Sequence, residues 1–196
     1  MKPIREWAES LRETAPGPEV QAVEGRGGLP TLQVGGIWLH SRYNPQQEAR
    51  RLVDSANLDE HRPVLVIGLG LGYHVQELAA RGFDLAVIEP DARVAKAAIA
   101  HLTNAGTESQ IAGEDSVPAT WLLGVGEAED IAHAPGFAAF AARTPQVLVH
   151  PPTARLHPGY AEAVQAALSQ AALRDRHLRV AVVGPVYGGS LPIAGY

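Results

Sequence analysis

The stretch Val64-Leu65-Val66-Ile67-Gly68-Leu69-Gly70-Leu71-Gly72-Tyr73-His74 joins four consecutive apolar residues to three glycines spaced two apart. A short, β-branched run without polar alternation reads as a strand covered on both faces. The glycines stand where such a strand turns sharply into a helix, because a residue without Cβ permits the tight turn and lets a ligand approach the backbone. The helix start that follows offers unpaired N–H groups and the positive end of the helix dipole. The segment predicts a strand, turn and helix that hold a polar or anionic ligand; the alternative is a tight turn with no ligand.

Further apolar runs on the C-terminal side, Leu85 to Ile88, Val147 to Val149 and Val180 to Val183, predict strands of the same kind, with a weaker one at Ser109 to Ala112. Helical patterns lie between them, over about 72–81, 91–105 and 158–174, with Gly82 and Gly106 as stops and Asp91 as a cap. Residues 116–143, rich in Ala and Gly, fit no single pattern. Strand and helix in alternation imply an α/β fold, Rossmann-like, with a mainly parallel sheet, helices on both faces and strand order 3-2-1-4-5.

On the N-terminal side, Ile4, Trp7, Ala8 and Leu11 give residues 3–13 a helical spacing that Pro16-Gly17-Pro18 ends. Two alternating segments around Gly35-Gly36, Thr31 to Val34 and Ile37 to His40, predict a β-hairpin with a two-residue turn. Asn44-Pro45-Gln46-Gln47 predicts a helix start, with Asn44 as N-cap, Pro45 at the first position and Gln47 reaching back in a capping box. The expected division is 1–58 as a helix, hairpin and lead-in helix and 59–184 as the Rossmann-like domain.

Glu89 follows the second strand, seventeen residues after Gly72. A carboxylate there is placed to accept hydrogen bonds from ribose hydroxyls, which points to a nucleoside-type ligand. The G-x-G-x-G spacing is looser than G-x-G-x-x-G, since Tyr73 and His74 stand where the third small residue would fall, so NAD is disfavoured. His74 stands at the helix start, where its ring could contact the ligand. His150 and Pro151 follow the fourth strand, at the edge where open α/β sheets bind ligands, and are candidate substrate contacts, with Pro151-Pro152 stiffening the loop. Arg42, in Ser41-Arg42-Tyr43, either binds an anion or ties the hairpin to the domain.

A net charge of -5 without a dense Lys/Arg run disfavours nucleic acid as a partner. The lack of cysteine removes disulfides, thiolate catalysis and cysteine-ligated zinc. No histidine pair has the spacing of H-E-x-x-H, and no G-x-S-x-G or G-x-x-x-x-G-K-[ST] occurs, so no metal site and no P-loop are expected. Without a signal-like N-terminus or a run of eighteen apolar residues, no membrane association is expected and the cytoplasm is the expected location.

The glycine turn, Glu89, and Glu114-Asp115 after the expected third strand resemble the cofactor half of class I S-adenosylmethionine-dependent methyltransferases. The resemblance implies S-adenosylmethionine as cofactor, with Gly68, Gly70 and Gly72, and Tyr73 and His74 beside them, near its methionine and ribose, Glu89 on the ribose and Asp115 or its neighbour at the adenine. Val66 departs from the pattern, which often has an acid two residues before the first glycine. His150-Pro151-Pro152 is similar to the Asn/Asp-Pro-Pro motif of amino-methylating enzymes, with His in place of the amide or acid.

Longer stretches resemble the N-terminal region of motility-associated-factor (Maf-type) glycosyltransferase proteins and the related pterin pyrophosphokinase-like domain: Leu39 to Pro45 with Glu48-Ala49, Ile67 to His74, Val87 to Asp91, Val149 to Pro152 and Leu156 to Tyr160. Arg179 to Ala194 is similar to the opening strand and glycine loop of a CgeB-type GT-B glycosyltransferase domain, which implies that 185–196 is the start of a following glycosyltransferase domain. These resemblances imply a methyltransferase-like region, catalytic or not, or else a non-catalytic scaffold or recognition module, ahead of a downstream glycosyltransferase domain as partner. Val180 to Val183 could equally be the fifth strand of the sheet.

Overall fold

A computed structural model of the chain describes residues 2–3, 20–104, 122–134 and 136–182. The helix expected from residue 4 onward, the strand at 109–112, Glu114, Asp115 and residues 183–196 lie outside the described residues. Pro3, expected to open a helix, belongs instead to the short strand β1 (Lys2–Pro3).

Strands β5 (Val64–Ile67), β6 (Leu85–Glu89), β7 (Leu122–Val125) and β8 (Gln146–Val149) form a parallel sheet in the order β7-β6-β5-β8, and β1 adds antiparallel to β7. This is the 3-2-1-4 part of the expected order in a Rossmann-like α/β fold. The fifth strand is corrected: Val180 to Val182 lie in the helix α7 (Tyr160–Val182), as its closing residues. A short apolar run does not by itself separate strand from helix, and a helix already under way gains one hydrogen bond for each residue added. The helix expected over 158–174 is thus longer. It is preceded by α6 (Pro151–Leu156), and Gly159 in the left-handed region separates the two.

Leu122-Leu123-Gly124-Val125 supplies the third strand of the parallel sheet from within the stretch that fitted no pattern, where its glycine weakens the strand signal. The short helices α4 (Ala128–His133) and α5 (Phe137–Ala141) follow it. The two-residue period of the buried strands divides the core. Val64, Val66, Leu85 and Val87 face α1 (Pro45–Ser55), α2 (Tyr73–Ala80) and α3 (Ala92–Asn104), while Leu65, Ile67, Ala86 and Ile88 pack with Ile131, Phe137, Phe140 and Val164. Both faces are therefore covered, as the absence of polar alternation implied.

The hairpin is observed as β3 (Pro30–Val34) and β4 (Ile37–Trp38) around Gly35-Gly36, and β2 (Val20–Glu24) joins it to make a three-stranded antiparallel sheet. β2 escaped the sequence reading because no residue of it is fully buried, so burial leaves no alternation to read. Leu32, Val34 and Leu39 of this unit pack with Ala49, Leu71, Tyr73 and Val94, which brings the residue after Leu39 to the glycine turn.

Asn44 caps α1 as expected, its Oδ1 accepting from Gln47 N at 2.9 Å. The capping box is corrected: Asn44 N donates to Ser41 Oγ at 3.2 Å, and Glu48 Oε2 accepts from Ser41 N at 2.7 Å, so Ser41 and Glu48 take the place foreseen for Gln47. Asn44→Ala should cost about 1 kcal/mol of stability, measured by urea unfolding, with fraying confined to α1. Among the described residues, no helix is long and apolar enough to cross a membrane.

Candidate functional site

β5 lies between β6 and β8, and the chain leaves it in one direction for β6 and later crosses back to β8. Open α/β sheets bind ligands at this reversal of strand order, outside the carboxyl ends of the strands. The glycine turn after β5, Glu89 at the end of β6 and His150 after β8 all stand at that edge.

The backbone N–H groups of the turn find partners within the chain. Gly68 N donates to Ile88 O at 2.7 Å, Leu69 N to Glu89 Oε2 at 2.7 Å, Leu71 N to His40 Nε2 at 2.7 Å and Gly72 N to Leu69 O at 2.8 Å, while Gly70 N also faces the Glu89 carboxylate. Side chains stand close over the turn as well. A Cβ at Gly68 would lie 2.6 Å from Thr153 Cβ and 2.9 Å from His150 Cβ, and one at Gly70 would lie 2.8 Å from His40 Cε1. The glycines thus admit the chain's own imidazoles and hydroxyl. Gly72 faces Leu102, so its contact is with the core.

Glu89 is 1% exposed, and its Oε1 accepts from Asp91 N at 3.0 Å. Burial raises its pKa to about 7, against the amide hydrogen bonds, which favour the carboxylate. Asp91 opens α3 as expected of a cap, its Oδ1 accepting from Arg93 N at 2.8 Å and both oxygens from the Arg93 guanidinium. Burial alone would raise the Asp91 pKa, but the Arg93 hydrogen bonds outweigh it and hold the carboxyl below its ordinary value.

Three imidazoles close the site. His40 follows the hairpin, His74 lies in the first turn of α2, and His150 is the N-cap residue of α6, ahead of Pro151 and Pro152 in its first turn. All three are buried, with ring centroids 4.6 Å apart for His74 and His150, 5.2 Å for His40 and His150 and 6.2 Å for His40 and His74. His74 Nε2 lies 2.9 Å from Gly68 O, and His150 Nδ1 lies 2.9 Å from Thr153 Oγ1. Burial lowers all three pKa values, to about 4 for His74 and well below the ordinary value for His40 and His150, where the neighbouring imidazoles add to the effect. They are neutral at pH 7.

Above the imidazoles lies a cavity of about 210 Å³, whose walls include Glu48, Leu52, Pro151 and Arg155. The structure therefore brings Gly68, Gly70, His74, Glu89, His150 and Pro151 together. Tyr73 points elsewhere: its hydroxyl donates to Pro30 O at 2.8 Å and its ring meets His40 edge-on, so it fastens the small sheet to α2. Burial raises its pKa to about 12. Asp115 lies outside the described residues. Arg42 stacks over the Trp38 ring at 4.6 Å within the hairpin segment.

His40, Thr153, Glu48 and Arg155 are the site residues that sequence reasoning missed. The one available signal was the polar His40 directly after the apolar Leu39 at the end of the expected hairpin. Histidine spacing could not have found the cluster, because its members lie 34 and 76 residues apart along the chain.

No family model matches the chain. It is 39% identical over 90 residues, 42% of this chain and 30% of the relative, to an uncharacterized protein of Treponema pallidum (strain Nichols). The MAf glycosyltransferase from Magnetospirillum magneticum AMB-1 is similar in structure, with a TM-score of 0.56 and 15% identity over 86% of this chain and 33% of that one. MnmC2 from Aquifex aeolicus also matches, with a TM-score of 0.36 and 14% identity over 68% of this chain and 52% of that one. The chain spans about a third of the Treponema relative and of the Magnetospirillum enzyme, and what it shares with that enzyme is a Rossmann-like α/β fold.

Proposed function

We propose that this chain is the ligand-binding Rossmann-like region of a larger glycosyltransferase-related protein, taking a nucleoside-type small molecule, S-adenosylmethionine first among them, at the carboxyl edge of β5 and β6. The observation that carries the reading is the placement of the glycine turn and Glu89, joined by the Leu69 N–Glu89 hydrogen bond, at the reversal of strand order. Glu89 already accepts from the turn amides, so a ribose hydroxyl would have to share or replace the bonds to Leu69 N and Asp91 N. A downstream glycosyltransferase domain is the partner this reading implies, and the cytoplasm its compartment; neither nucleic acid nor membrane has a part in it.

A second reading, a non-catalytic recognition or scaffold module, is supported by the same turn. Its amides are bonded within the chain, and His40, His150 and Thr153 stand over its glycines. Methyl transfer would depend on positioning donor and acceptor, and no residue of the chain is assigned a catalytic role. Calorimetry with S-adenosylmethionine, S-adenosylhomocysteine and nucleotide sugars separates the two. The first reading expects saturable heat with one of them, weakened at least tenfold in Glu89→Gln; silence at roughly millimolar ligand, about 4 kcal/mol of affinity, leaves the module.

A further inference from the structure

Among the described residues, His40, His74 and His150 are the group of metal-ligating side chains that converges, each buried and their ligand nitrogens within 4.8 Å of one another. Two imidazole nitrogens on one tetrahedral ion at zinc-like bond lengths stand about 3.4 Å apart, and the ring centroids then lie about 5 Å apart. The observed centroid separations of 4.6, 5.2 and 6.2 Å bracket that value. Capture of an ion asks for a closing of roughly 1.5 Å at the widest nitrogen pair, and for the stacked His74 and His150 rings, 7° from parallel, to turn until their nitrogens converge.

The surroundings match those of ligating imidazoles. His74 Nε2 donates to the Gly68 carbonyl, which leaves Nδ1 as the ligand atom; a ligating histidine characteristically gives its other N–H to such an acceptor. His150 has Nδ1 on Thr153 Oγ1 and a ring bond to the Leu39 backbone, so an ion would take the place of one of these two partners. His40 Nε2 accepts from Leu71 N, so it carries a lone pair, and the ion would take the place of that amide. Binding therefore reaches the glycine turn directly, through Leu71. Three histidines, with no fourth ligand in the cluster among the described residues and a cavity above them, have the open coordination of reactive rather than closed structural sites. Imidazole donors in a chain without cysteine suit zinc or nickel over softer ions.

We propose that His40, His74 and His150 bind one divalent transition-metal ion, zinc or nickel by the chemistry of the donors, at the floor of the cavity, with the cavity supplying the remaining coordination position. This inference stands apart from the nucleoside reading, since an ion can bind with no nucleoside present and the reverse.

The test is titration of the untagged, chelator-treated chain with cobalt(II) and then zinc(II). The expected result is one equivalent bound per chain, a visible cobalt absorption band that zinc bleaches, and a rise in Tm with either ion. His150→Ala and His74→Ala should each weaken binding at least ~100-fold, the upper end of what loss of an outer-shell partner alone costs. His61→Ala, whose side chain is 85% exposed and outside the cluster, should leave binding unchanged. No cobalt band and no zinc-dependent rise in Tm for the wild-type chain would overturn the proposal, whatever the variants do. So would undiminished binding by a folded His150→Ala chain.

Discussion

Gly68→Ala should lower the stability of the chain by about 2–6 kcal/mol, a large part of the roughly 5–15 kcal/mol that holds a domain together. Two causes add. Gly68 has a φ of +96°, where an L side chain costs about 1–3 kcal/mol. The new methyl group would also stand 2.6 Å from Thr153 Cβ and 2.9 Å from His150 Cβ, and overpacking a tight site costs a further ~1–3 kcal/mol. Neither neighbour can swing away cheaply, because Thr153 and His150 are buried and bonded to each other. Gly82→Ala is the matched comparison: its φ is also positive, but a Cβ there meets nothing within 4 Å, so only the first cost applies. Urea unfolding of the two variants should differ by at least 1 kcal/mol. Equal losses would show that His150 and Thr153 do not press on the turn.

Acid should destabilise the metal-free chain steeply between pH 6.5 and about 4. His40, His74 and His150 have folded pKa values below the unfolded value of 6.5. In that window the unfolded chain holds up to three protons that the folded chain lacks, so stability falls as pH falls. Glu89 acts in the opposite sense. Its folded pKa of about 7 lies above the ordinary 4.5, so between those values the folded chain holds one proton more, and this contribution weakens as pH rises. Three protons against one leave a net of nearly two, a slope of about 2.5 kcal/mol per pH unit near pH 5.5. Of the other titratable groups nearby, Asp91 is held low by Arg93, and His101, half-buried, shifts in the same direction as the three and adds to the fall. Glu89→Gln should steepen the profile by removing the opposing group. Denaturant midpoints measured across this range check the slope, and a flat profile would mean that the three imidazoles are charged in the folded chain.

Both expectations rest on one physical situation, in which polar side chains from distant parts of the chain are pressed onto the glycines of a turn, which carry no side chains. That situation is also where sequence reading and structure part. Gly68-Leu69-Gly70-Leu71-Gly72 was legible as a strand-to-helix turn, because the need for residues without Cβ is local. Its partners were not, because His40 arrives through the packing of Leu32, Val34 and Leu39 on α1 and α2, and His150 through the parallel pairing of β8 with β5.

Sequence alone determined the strands β5, β6 and β8 and their order 2-1-4 in the parallel sheet, the hairpin at Gly35-Gly36 and the caps at Asn44 and Asp91. Each is written in residues next to one another: an apolar run, a pair of glycines, a side chain that reaches an amide two or three positions on. Tertiary structure decided that Val180 to Val182 continue a helix and that Tyr73 fastens the small sheet. It also decided that Glu89 and His40 serve the amides of the glycine turn, and that three histidines share one cavity. Those outcomes depend on which segments meet, and a spacing along the chain carries no record of a meeting made by packing.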